Sequence, residues 1–210
     1  MNLSHFLSQN HGQIVELTLE HLWLVSVSTM LAVLVGIPLG VVSARWPVLN
    51  RPVLGTANII QTIPSLALFG FLLPVPWLGD RADRLAILAL TLYALLPVIR
   101  NTYTGIRGVD PAVIEAGRGM GLTDSQLLFQ VELPLAASVI LSGIRVAVVV
   151  SVGLATIAAA IGAGGLGEFI FRGLAMVNNQ LILAGAIPAA ILALSADFGL
   201  GWLEKRLRPR

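Results

Sequence analysis

Few side chains in this sequence can do chemistry, and their types and spacing narrow what kind. Asn58, Gln61, Thr62 and Ser65 pair at spacings of three (58/61, 62/65) and four (58/62, 61/65) around Pro64, so on a helix they share one face. Amides and hydroxyls in that pattern can line a polar path, or they can hydrogen-bond a neighbouring helix. Tyr93 and Tyr103 offer rings to a cationic group. Arg145 and Asp197 are charges set inside apolar runs, where each needs a partner or water. They can pair and pin two helices together, each can reach back toward the surface, or Arg145 can serve at a gate. No cysteine is present, which excludes thiol, disulfide and thiolate-metal chemistry. His5, His11 and His21 lack a zinc-ligand spacing such as HExxH and read as surface histidines. Gly162-Ala163-Gly164-Gly165-Leu166-Gly167 lacks the Lys-Ser/Thr of a phosphate loop and reads as a turn into a short helix. No cluster of His, Asp, Glu or Ser at one depth supports a catalytic centre, so no catalytic residue, metal site or cofactor of its own is expected.

The elements that position these residues are membrane spans. Charged residues are 11% of the 210, where soluble domains carry about 25%, and the mean hydropathy is +0.87. A water-soluble domain of this size has too much surface to hide that apolar content. At roughly 20 residues per crossing, five segments qualify: about Leu22 to Ala44, Gly55 to Val75, Leu85 to Gly105, Leu135 to Gly162 and Leu181 to Leu203. Pro64 should kink the second. Of the thirteen Lys and Arg, nine (Arg45, Arg51, Arg100, Arg107, Arg118, Lys205, Arg206, Arg208 and Arg210) fall on one side. Arg81, Arg84 and Arg172 fall on the other. The excess of basic residues marks the cytoplasmic side, so the N-terminus is expected outside and the C-terminus inside. Trp23, Trp46, Trp77 and Trp202 sit at span ends, as an aromatic belt would. The basic residues form no patch, which argues against nucleic acid as a partner.

The connection between the third and fourth spans is the most patterned. Asp110-Pro111 reads as a helix start, followed by a helix that stops near Gly119–Gly121. Thr123 and Gln126 fit a capping box, with Leu122 and Leu127 placed as a hydrophobic staple. A second helix is expected to end before Leu133-Pro134. The first helix presents Ala112, Glu115, Ala116 and Gly119 at neighbour spacing. Such a loop can be a solvated connector or a docking surface.

Glu115-Ala116-Gly117, Gly121 twelve residues before Leu133, and Leu133-Pro134 resemble the EAA signature of binding-protein-dependent ABC importer permeases. The stretches Asn58 to Ala67, Tyr93 to Gly121 and Ile161 to Gly167 are similar to the branch that imports osmoprotectants such as glycine betaine, choline or carnitine. The resemblance departs at Gly117, where the family usually has Ala, and a helix-interior Gly costs about 1 kcal/mol. It implies an all-α membrane protein, a type I ABC importer transmembrane domain of about five spans, in a bacterial plasma (inner) membrane. Residues 1–21 would be an extracytoplasmic segment, 22–203 the permease domain with a coupling loop at 106–134, and 204–210 a basic tail. Glu115, Ala116, Gly117, Gly121, Leu133 and Pro134 would couple to a separate ATPase, which uses the ATP. The other implied partners are a solute-binding protein and a second permease copy, identical or a sister chain. Other cargoes, such as an amino acid, stay open within that class. An ion-coupled secondary transporter would predict an inverted repeat and midplane acids, and only Asp197 lies within a span.

Overall fold

The computed structural model describes residues 9–207 apart from 77 and 79. His5, Trp77, Arg208 and Arg210, named above, lie outside the described residues. Among those described, the regular structure is helical: α1 (His11–Arg45), α2 (Pro47–Thr62), α3 (Ser65–Leu72), α4 (Ala82–Arg107), α5 (Pro111–Gly119), α6 (Asp124–Leu127), α7 (Leu133–Ala158), α8 (Gly167–Ala175) and α9 (Asn179–Leu207). A π-helical turn, Leu128–Glu132, joins α6 to α7, and a 3-10 turn, Ala159–Ile161, follows α7. Four runs have the length and apolar content to cross a bilayer: α1, α4, the continuous run Asp124–Ile161, and α9. The pair α2 and α3, bent by 99°, makes a fifth if counted as one crossing.

α4 is the hub. α1, α2, α3 and α7 all pack on it, and α9 packs on α7 and α8. At the end away from α5, Leu24, Phe69, Leu85, Leu90 and Val152 form the largest core cluster. At the α5 end a smaller one joins Ala44, Ile106, Ala136 and Ile140. The outer faces of α1 and α9 expose Met30, Leu34, Ile191, Leu194 and Phe198. Apolar side chains on helices this long fit a hydrocarbon solvent. Trp23, Trp46 and Trp202 are exposed as well.

The structure corrects four expectations. First, α1 starts at His11 rather than near Leu22. Its 35 residues span about 52 Å at 1.5 Å per residue, beyond a hydrocarbon core of about 30 Å. The added turns are held by packing, because Leu17 is buried with Leu166, Phe169, Leu181 and Ala184. Second, the expected second span is broken rather than kinked. Pro64 disfavours helical backbone at the residue before it, and Ile63 is extended at φ −69°, ψ 127°. Ser65 therefore opens α3 and does not share a face with Asn58, Gln61 and Thr62. Third, His21 is fully buried, not at the surface. Its Nε2 lies 3.1 Å from the Val152 carbonyl. Fourth, the helix beginning at Asp124 does not stop before Leu133-Pro134 but runs on into α7. Pro134 has no N–H and would clash with the preceding turn of a regular helix. The wider π turn accommodates it, with the Leu133 N–H bonded to the Leu128 carbonyl.

Candidate functional site

The loop around α5 is built by its caps. The Asp110 carboxylate accepts the Ala112 N–H at 2.9 Å, and Pro111 occupies the first helical turn. At the other end the Gly121 N–H reaches the Arg118 carbonyl and the Leu122 N–H reaches that of Gly117. That pair of bonds is a Schellman stop, and it needs the left-handed Gly121, at φ +82°. Thr123 and Gln126 then close a full capping box on α6. The departure at Gly117 has a packing role. Gly117 is buried, and a Cβ there would stand 2.6 Å from Leu127 Cδ2 and 3.3 Å from Leu122 Cδ1. The missing methyl lets α5 lie close on α6. Glu115 and Ala116 face outward and are exposed, Leu133 is half-buried, and Pro134 is exposed.

Behind α5 opens a cleft of about 420 Å³ lined by Arg45, Arg107, Glu115, Arg118 and Glu132, among others. Arg45, the last residue of α1, donates to Glu132 at 2.6 Å and to the Asp124 carbonyl at 3.3 Å. Glu132 is buried in the π turn. The end of α1 is thereby tied to the segment that leads into α7. Sequence reasoning missed this pair, since 87 residues separate its members.

The candidates on α2 and α4 separate into two groups. Pro97 has no N–H, so the Tyr93 carbonyl four residues back loses its helical partner. Gln61 Nε2 donates to that carbonyl at 3.2 Å. The Tyr93 hydroxyl donates to the Ile63 carbonyl at the break between α2 and α3. Gln61 and Tyr93 thus join α2 to α4. Asn58 instead accepts from Arg100 at 2.9 Å. Thr62 is exposed and donates to the Ile59 carbonyl of its own helix. Tyr103 lies half-buried in the cluster at the α5 end, away from Tyr93.

Arg145 and Asp197 meet. The guanidinium grips the carboxylate with two bonds, 2.6 Å from Nε and 2.8 Å from Nη2. Glu204 adds a third contact at 3.4 Å. The result is a planar bidentate pair between α7 and α9. A second unforeseen tie joins α1 to the glycine-rich turn. Glu20 accepts the Gly165 N–H at 2.9 Å. Gly165, at φ +79°, seats against His21. An acid next to a histidine at the edge of an apolar run was the available signal. Among the described residues no group of three or more His, Asp or Glu is placed to hold a metal ion.

Comparisons with known proteins agree with this architecture. Residues 36–209 match the family described as binding-protein-dependent transport system inner membrane component. The glycine betaine/carnitine/choline transport system permease protein OpuCD of Bacillus subtilis (strain 168) is 46% identical, over 99% of this chain and 90% of its own. The carnitine transport permease protein OpuCB of Listeria monocytogenes is 45% identical, over 98% and 93%. Among solved structures, a chain of the MetNI methionine ABC transporter in an inward facing conformation superposes with a TM-score of 0.84 at 24% identity. It covers 93% of this chain and 96% of its own. That last likeness speaks to the fold.

Proposed function

The chain belongs to the family of binding-protein-dependent transport system inner membrane components, and from that premise we propose that its cargo is a quaternary-amine osmoprotectant. Members of this family are transport permeases and not enzymes, so the chain itself makes and breaks no covalent bond. The cargo class is glycine betaine, carnitine, choline or a close relative. The observation that carries it is near-full-length identity of 40–46% to permeases named for those solutes.

The N-terminus lies outside and the C-terminus in the cytoplasm, which puts α5 on the cytoplasmic side. Two permease copies, identical or sister chains, enclose the path, because one chain of this size encloses little room. A solute-binding protein delivers from outside. α5 docks on an ATPase subunit through exposed Glu115 and Ala116. Gly117 and Gly121 set the shape of the docking knob, and Leu133 and Pro134 begin the helix it moves. ATP-driven closure of the ATPase pair carries the two α5 knobs together and turns the path outward, and hydrolysis returns it. Asn58, Thr62 and Ser65 are proposed along the path, with Gln61, Tyr93 and Tyr103 holding its walls. The Arg145–Asp197 pair fixes α7 to α9.

The test is uptake of labelled glycine betaine and carnitine by cells lacking other uptake routes. They express the chain with its cognate ATPase and binding protein, beside a Gly121→Asp version. ATP-dependent uptake lost in the variant is expected. An assembled wild-type complex that takes up neither solute would overturn the cargo, and an ATPase that fails to co-purify would overturn the docking.

A further inference from the structure

α1 and α2 both pack on α4, but not equally closely. Gly36 and Gly40 bring α1 so near that a Cβ on Gly40 would stand 2.9 Å from the Ile99 carbonyl. α2 has no glycine at that contact, since its Gly55 has open space where a side chain would be. It meets α4 through Val53, Leu54 and Ala57 instead. The unequal approach leaves a groove of about 340 Å³ between α1 and α2. Leu39 of α1 forms one wall, Val53, Thr56 and Ile60 of α2 the other, and Leu95 and Ile99 of α4 the floor. Thr56 is the one polar side chain among the described residues that line it. On the same faces the exposed side chains are apolar, Val35 and Pro38 on α1 and Leu49, Pro52 and Ile59 on α2. The groove therefore opens on hydrocarbon and not on water.

An apolar cavity of about 150 Å³ already stays dry and takes up an apolar guest, and this groove is more than twice that size. From Leu49 to Ile60 it follows α2 for eleven residues, about 16 Å at 1.5 Å per residue. That is half of a hydrocarbon core of about 30 Å, the depth of one leaflet, and the exposed Trp46 marks its surface end. The same end carries a free charge. Arg51, next to the lining residue Pro52, is exposed, and it has no hydrogen-bond or ion-pair partner among the described residues. No Asp or Glu occurs between Glu20 and Asp80, so the groove's own helices α1 and α2 offer Arg51 no carboxylate at this end. Arg45, the other cation of this corner, is already held by Glu132. A positive charge at the head of an apolar slot one leaflet deep complements a phospholipid, phosphate at one end and acyl chain at the other. We propose that the groove holds one acyl chain of an anionic phospholipid from the leaflet on the α5 side, with its phosphate on Arg51. The chain fills the space between α1 and α2 and braces the first half of the broken crossing. This stands whether or not the cargo is a quaternary amine.

The experiment uses the whole complex, purified in mild detergent with added phosphatidylglycerol that carries a photoreactive diazirine in mid-chain. Native mass spectrometry counts the phospholipid retained on the permease, and illumination followed by peptide mapping locates it. Thr56→Phe, at the exposed rim, puts a ring into the groove, and Arg51→Gln removes the charge. Leu194→Phe, on the exposed face of α9, is the control. The expected result is retained phosphatidylglycerol in wild type, attached to the α1 and α2 peptides that hold Leu39, Val53 and Ile60. Retention falls about fivefold in Arg51→Gln, the effect of one basic group at a membrane surface. It falls at least as far in Thr56→Phe and stays unchanged in Leu194→Phe. Labelling spread over the open faces of α1 and α9 means boundary lipid only and overturns the proposal, as does full retention in Arg51→Gln. Permease copies that separate in Thr56→Phe, from a wild type that retains no lipid, make the groove the seat of a second copy and overturn it too. The wild-type map and Arg51→Gln decide the matter even where Thr56→Phe fails to fold.

Discussion

Gln61 offers a sharp test of how the broken second crossing is held. Pro97 deprives the Tyr93 carbonyl of its helical N–H, and Gln61 supplies the replacement donor at 3.2 Å. Gln61→Leu keeps the volume and removes the donor. Interhelical hydrogen bonds in membrane proteins average about 0.6 kcal/mol and reach about 1.7. An orphaned buried acceptor costs about 1–3 kcal/mol, and Tyr93 is buried. The expected loss lies where these ranges meet, about 1–1.7 kcal/mol. Pro97→Ala returns an N–H to the Tyr93 carbonyl. In that background Gln61→Leu should cost under about 0.5 kcal/mol, a fall beyond the ~0.3–0.5 kcal/mol within which uncoupled sites add. The assay is reversible unfolding of the purified permease in mixed micelles, for wild type, both single variants and the double. An equal cost of Gln61→Leu in both backgrounds would refute the reasoning, because the carbonyl would then not be what Gln61 serves.

Arg145→Gln and Asp197→Asn should each lower the melting temperature in detergent, and the charge-swapped double should recover part of it. A swap as poor as the two losses combined would remove pairing as the cause. Gly121→Ala places a Cβ at φ +82° and should destabilise the α5 loop by about 1–2 kcal/mol, read as reduced co-purification of the ATPase from well-inserted permease. Thr123→Ala removes the capping box and should cost about 1 kcal/mol; hydrogen exchange of the α6 amides checks this, and unaltered protection would dismiss the cap. Glu132→Gln weakens the tie to Arg45 and should lower uptake per ATP hydrolysed, while an unchanged ratio would take that pair out of the coupling.

What could be read from the sequence was local. Asp110, Gly121 and Thr123 act within a turn of themselves, so their residue types alone announce the capped loop. Pro64 announced a disturbance, but its size depended on Tyr93 and Gln61 receiving the broken end from another helix. Gly117 looked like a weak point by helix propensity. Its purpose shows only once Leu127 and Leu122 lie against it. His21 read as a surface histidine, and Glu20 beside it drew no reading. Each bonds to a backbone group more than 100 residues away, which no periodicity reports. The Leu133-Pro134 pair gave a false stop for a similar reason. Proline ends a regular helix, while a π turn changes which carbonyl it must avoid.

These ties give the loop a mechanical reading. α5 is clamped to α6 through Gly117, Leu122 and Leu127, and α6 runs without a break through the π turn into α7, a helical stretch of 38 residues. At 1.5 Å per residue that is about 57 Å, longer than a bilayer is thick. Near its start the stretch has one irregular point, the π turn, where an i to i+5 bond replaces the regular ladder. The structure braces that point from the side, because Glu132 within the turn is held by the end of α1. Further along, Arg145 on α7 grips Asp197, so α9 must follow α7. α1 and α7 are packed on the hub α4 as well, α1 through Gly36 and Gly40 and α7 through Gly143, so the tied helices share one hub. α2 is joined to the hub α4 by Gln61, Tyr93 and the Asn58–Arg100 contact.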